Sequence, residues 1–108
     1  MIGVDYMKEE TEIQNEISAI VRNIVMLIRK ERNIPQGQIE ILINYLKVYR
    51  VYSNGREFIP KRMTFELFYL YTRISSQMIY NKEKDKDSTI ITELYMAITS
   101  VFSDVLYQ

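Results

Sequence analysis

The chain has 108 residues, of which 47% are apolar and 26% charged, with only three glycines and two prolines. This is the size and balance of one globular domain spanning 1–108 and excludes a disordered chain. Cysteine and histidine are both absent, which excludes disulfides, thiolate nucleophiles, zinc–thiolate sites and every Ser-His-Asp or Cys-His arrangement.

The net charge is zero but unevenly spread: −4 over residues 1–21, +6 over 22–73 and −2 over 74–108. An acidic start, a basic middle and a mildly acidic end are the main electrostatic features. No window approaches ~18 uninterrupted apolar residues, so no membrane span is expected. The N-terminus lacks the basic and apolar regions of a secretory signal, and Gly3 is not at the second position that myristoylation requires. A cytoplasmic protein is the expectation.

The first predicted helix runs from about Asp5 to Arg32. Ile13, Ile17, Ile20, Ile24 and Leu27 recur at alternating steps of four and three, the spacing of a buried seam. Tyr6 continues that line, and Val21, Val25 and Ile28 widen it. Asp5 is placed to cap the helix, while Arg29, Lys30 and Arg32 suit the negative end of its dipole. Glu9, Glu12 and Glu16 share a face and read as a solvated first segment rather than a cation site.

Pro35 stops this helix and suits the first position of the next. The second helix carries Ile39, Leu42, Leu46 and Tyr49, with Tyr45, Val48 and Tyr52 adjacent, and Asn54-Gly55 offers a left-handed stop. A rival reading makes a short β-hairpin of 48–59, because Asn-Gly lies between β-prone runs. The helical period persists through Tyr52, which favours the helix.

The third helix is predicted from Met63 or Thr64 to Asn81, with Thr64 as its cap. At 100° per residue, Leu67, Leu70, Tyr71, Ile74 and Met78 fill one sector of about 100°. Phe65, Phe68, Tyr69, Ile79 and Tyr80 fill a second, and only Glu66, Arg73 and Gln77 make a clear polar stripe. A helix apolar over most of its circumference is buried over most of it. It therefore lies either at the centre of the bundle or on a surface shared with another chain. The run Lys82–Asp87 reads as a solvated linker, not a calcium loop. Asp87 or Ser88 would then cap a fourth helix, in which Ile91, Leu94, Ile98, Val101 and Val105 recur at helical spacing, with Tyr95, Phe102 and Leu106 beside them.

The expected fold is therefore all-α, a small bundle of about four helices with the hairpin at 48–59 as the open alternative. No catalytic constellation, Walker sequence or Gly-x-Gly-x-x-Gly is present. No cofactor, metal or small-molecule substrate is implied, and an enzyme is not expected. In composition, many Ile and Tyr with no Cys, His or Trp resemble small proteins of viruses and plasmids with A/T-rich genomes, a likeness that rests on no motif.

Two binding readings remain. The first is a protein-interaction module that self-associates as a homodimer through Phe65, Phe68, Tyr69 and Ile79. The second is a small nucleic-acid-binding regulator. In it Lys47, Arg50, Arg56, Lys61 and Arg62 contact phosphates, and Tyr49, Tyr52 and Phe58 are interleaved among them. A helix-turn-helix fits poorly, because the link from Asn54 to Met63 exceeds the usual roughly 3–4 residues and the third helix opens with few base-reading side chains.

Overall fold

The computed structural model describes residues 2–80 and 84–103, and side-chain surroundings for 10–80 and 87–103. Four helices account for nearly all of these residues: α1 (Ile2–Glu31), α2 (Gln36–Ser53), α3 (Lys61–Tyr80) and α4 (Lys84–Phe102). No strand occurs among the described residues.

The buried line of α1 is Ile17, Val21, Ile24 and Ile28, with Ile13, Ile20 and Val25 at its margins. The predicted seam is thus rotated by part of a turn, because α1 packs against two neighbours and both apolar rows are used. Asp5 falls inside α1, which begins at Ile2, and not at its cap; Tyr6 and Glu9 lie outside the described side chains. Glu31 ends the helix and Arg32 turns left-handed, with φ 54°, its N–H still reaching the Ile28 carbonyl at 2.9 Å.

Pro35 precedes α2 as its cap residue rather than forming its first turn. Ile39, Leu42, Ile43, Leu46, Tyr49 and Tyr52 are buried, so the helical period does persist to the end of the segment. The hairpin reading of 48–59 is overturned by one torsion. A two-residue type I′ turn needs positive φ at both central residues, but Asn54 has φ −59° and ψ 126° while Gly55 has φ 81°. Those angles, with the Arg56 N–H bonded to the Ser53 carbonyl at 2.9 Å, make a type II turn. It ends α2 and sends the chain away rather than back alongside itself.

Pro60 accepts the Thr64 N–H at 3.1 Å, so α3 starts at Lys61, earlier than predicted. Thr64 is not the cap: it sits in the first turn with its hydroxyl on the Pro60 carbonyl. Likewise α4 begins at Lys84, inside the predicted linker. Asp87 is not a cap either. It is buried, and its carboxylate accepts from the Gln36 side chain at 3.0 Å, tying the start of α4 to the start of α2. Ile90, Ile91, Leu94, Ala97, Ile98 and Val101 complete the core from α4; Val105 and Leu106 lie outside the described residues.

Helix α1 packs on α2 and α3, and α4 packs on α2 and α3, while the α1/α4 and α2/α3 pairs stay apart. Glu66 of α3 meets Ser18 and Arg22 of α1, and Gln77 further along α3 meets the end of α1 at Arg32, so these two helices run parallel. The same holds for α2 and α4, where Gln36 meets Asp87 and Arg50 lies near Ser100. The fold is two antiparallel helical hairpins, α1–α2 and α3–α4, laid one on the other in the same orientation. The 54–60 link crosses between them. It is anchored by Arg56, whose guanidinium grips both carboxylate oxygens of buried Glu10. Beside that pair, Gln14 donates to the Tyr49 hydroxyl at 3.0 Å.

Candidate interaction surface

The two apolar sectors of α3 have opposite fates. Leu67, Leu70 and Ile74 are fully buried and Met63 nearly so, while Tyr71 and Met78 are half-buried against the core. The opposite sector points outward: Phe65 is 66% exposed, Phe68 64%, Ile79 68% and Tyr80 81%, with Tyr69 at the edge of exposure. No charged residue falls in this outward sector between Phe65 and Tyr80; Thr72 and Ser76 fill its middle. Thr72 turns its hydroxyl back onto the Phe68 carbonyl at 3.0 Å.

The exposed rings are ordered by one another. Phe65 stacks on Tyr69 with centroids 6.0 Å apart, beside Val25 and exposed Met26 of α1. On the other flank Phe68 stacks on Phe102 at 6.4 Å and Tyr71 meets Tyr95 at 5.8 Å. These contacts rim an apolar cleft of about 540 Å³ between α3 and α4, floored by Leu67 and Ile98. The four residues expected to form an interface are therefore all on the surface, but on two flanks of one ridge. Phe65 and Tyr69 lean toward α1, and Phe68 leans toward α4.

The two hairpins differ in how their helices meet outside the core. Between α1 and α2 Asn23 donates to Gln38 at 3.4 Å, and Glu16 beside the Tyr45 hydroxyl pushes that phenol pKa up, chiefly by hydrogen bonding and then by its charge. Between α3 and α4 the contacts are aromatic. The aromatic contacts thus lie on the α3–α4 side, while the first hairpin exposes the aliphatic Ile41, Val48 and Val51. Sequence reasoning missed Met26, Tyr95 and Phe102 as neighbours of the α3 ridge; each looks like an ordinary margin of its own helix until its neighbour is known.

The basic residues of the middle segment are not gathered onto one face. Arg56 is held by Glu10, and Arg62 lies 3.6 Å from Glu66, which also takes Arg22 at 3.5 Å. Lys47 and Arg50 line a different surface, between α2 and α4, near Glu93. Lys61 is exposed at the start of α3, and Phe58 is exposed in the link, whereas Tyr49 and Tyr52 are core residues. The polar stripe of α3 (Glu66, Arg73 and Gln77) is half-buried. It forms the seam with α1.

Among the described residues no group of three or more acidic side chains converges as a metal site would require, and no helix is long and apolar enough to cross a membrane. The geometry defines a small helical domain with an exposed apolar surface. Comparison with protein-family models, curated proteins and solved structures found no match to this chain.

Proposed function

We propose that this chain is a non-enzymatic helical interaction module that self-associates as a homodimer through the outward face of its second hairpin. The observation that carries this reading is the uncharged, aromatic ridge of α3 continued onto α4. At about 200 Å² per large side chain, the exposed parts of Phe65, Phe68, Tyr69, Ile79, Tyr80, Tyr95 and Phe102 amount to roughly 800 Å². That equals what one partner contributes to a standard stable interface. Monomers rarely expose apolar surface on this scale.

A second copy fits this surface for two reasons. A two-fold interface sets the same patch against itself, and a patch without charge meets its copy without repulsion. A hairpin stack also offers the next hairpin the same kind of groove that α1–α2 fills on the inner side. The nucleic-acid alternative has less support, because Arg56 and Arg62 are engaged by Glu10 and Glu66 and the remaining cations face elsewhere.

Light scattering coupled to size exclusion tests the proposal. The 12.9 kDa chain is expected to elute at twice that mass, and Phe68→Glu with Ile79→Glu to yield a folded monomer. A wild-type monomer whose mass does not change with concentration rejects it.

A further inference from the structure

On the seam between α1 and α3, beyond the Glu66 ion pairs, lies a half-open pocket of about 720 Å³ at the end of α1. Its polar lining is Arg29, Arg32, Arg73, Ser76, Gln77 and Tyr80. Three arginines line this space and no carboxylate does. The α2–α4 pocket, by contrast, has Glu93 in its lining along with Lys47 and Arg50. Complementing the dipole at the end of α1 accounts for Arg29 and Arg32. It does not account for a third guanidinium brought against them from α3. Like charges held together in a folded site are unfavourable unless an anion compensates them.

One further observation points the same way. Arg32 occupies the left-handed position that ends α1, where glycine or asparagine is the usual residue. A non-glycine residue there carries backbone strain of the kind that accumulates at ligand sites. Gln77 donates to the Arg32 carbonyl at 2.9 Å, so the acceptor that would repel an anion is already occupied. One guanidinium nitrogen of Arg29 bonds the Tyr69 hydroxyl at 3.3 Å, which fixes its orientation.

We infer that the Arg29, Arg32 and Arg73 pocket binds a phosphate monoester group. A monoester carries nearly two charges at neutral pH and three acceptor oxygens, which suits a lining of three arginines. A phosphodiester offers one charge and two free oxygens. The pocket volume is that of a small-ligand site, and Tyr80, exposed at the rim, offers a ring face to the organic part. The site borders the proposed dimer surface, since Tyr80 belongs to both and Arg29 bonds Tyr69. Its three arginines lie outside that surface, and its titration does not require the dimer.

The test is a titration of isotopically labelled protein with phenyl phosphate, followed by NMR at constant ionic strength. Saturable shifts are expected at Arg29, Arg32, Arg73 and Gln77, with a Kd of about 1 mM or tighter. Arg73→Gln and Arg32→Gly are each expected to weaken binding at least about tenfold, the loss of a charge-assisted hydrogen bond. Arg32→Gly relieves the left-handed strain, so its Tm should not fall, which separates lost binding from lost folding. Lys30→Gln, an equal charge change on the outer face of α1, should leave the affinity unchanged. A single-stranded oligothymidylate serves as the phosphodiester probe and should bind these residues more weakly. The inference is overturned by non-saturating shifts, by equal weakening in Lys30→Gln, by wild-type affinity in Arg32→Gly, or by preference for the oligonucleotide.

Discussion

Replacing Arg56 by Met removes the grip that holds the 54–60 link onto α1. Glu10 lies almost entirely inside, its side chain 10% exposed, and Arg56 meets it with both terminal nitrogens, while the Arg56 side chain is 46% exposed. Breaking a fully buried pair costs about 3–5 kcal/mol, because the surviving charge is left unpaired. Water reaches the arginine side of this pair and screens it, so a cost of about 2 kcal/mol is expected. In a domain of this size that corresponds to a fall in Tm of roughly 10 °C. Urea unfolding followed by circular dichroism measures it directly. Removing both charges, in Glu10→Met with Arg56→Met, leaves no orphaned carboxylate and should be more stable than Arg56→Met alone. The double-mutant cycle should give a coupling of about 1–2 kcal/mol. If Arg56→Met stays within about 0.5 kcal/mol of wild type, or the two changes simply add, the ion pair does not fasten the link and this reasoning fails.

Gly55→Ala should cost about 1–2 kcal/mol from the left-handed backbone alone, since an added Cβ meets no atom within 4 Å. Gly55→Asn should lose less, because asparagine tolerates that conformation; equal losses measured by urea unfolding would point to crowding instead. Burial pushes the Tyr49 phenol above the usual value; the Gln14 hydrogen bond offsets part of this, and the charge of Glu10 adds to it while that of Arg56 opposes it. A phenol with a raised folded pKa contributes stability that is intact below the ordinary value of about 10 and is lost as pH rises through the folded one. The urea midpoint should therefore hold steady to about pH 9.5 and fall above about 10, and Tyr49→Phe should flatten that fall. An unchanged alkaline slope in Tyr49→Phe would refute the assignment.

The helices were legible because their apolar residues repeat with the helical period, and α3 shows this best. Its two apolar sectors are distinct in the sequence, and the structure buries the one rich in Leu and Ile while exposing the one rich in Phe and Tyr. Which sector would be buried was not legible, since that depends on the direction from which α1 and α4 approach. The ends were harder to read. Thr64 and Asp87 both look like caps, yet Pro60 starts α3 a turn earlier and Asp87 is drawn inside by Gln36. The basic segment looked like one patch because 47–62 is continuous in sequence. The 54–60 link crosses between the hairpins, so Lys47 and Arg62 end on different surfaces. The arginine pocket was invisible for the converse reason: Arg29, Arg32 and Arg73 are brought together only when α1 and α3 lie side by side.

Laying two hairpins one on the other in the same orientation gives the molecule unlike ends, as in a short run of a helical repeat array. An array of this kind grows without limit if its tail accepts the next head, which is how heterologous contacts make fibres. Here the first hairpin joins its helices outside the core through Asn23 and Gln38 and exposes the aliphatic Ile41, Val48 and Val51, which offer no aromatic partner to the ridge at the other end. In the proposed homodimer, tail-to-tail pairing would consume both aromatic ends at once. Such an assembly would terminate at two chains and leave the first hairpin as each outer surface.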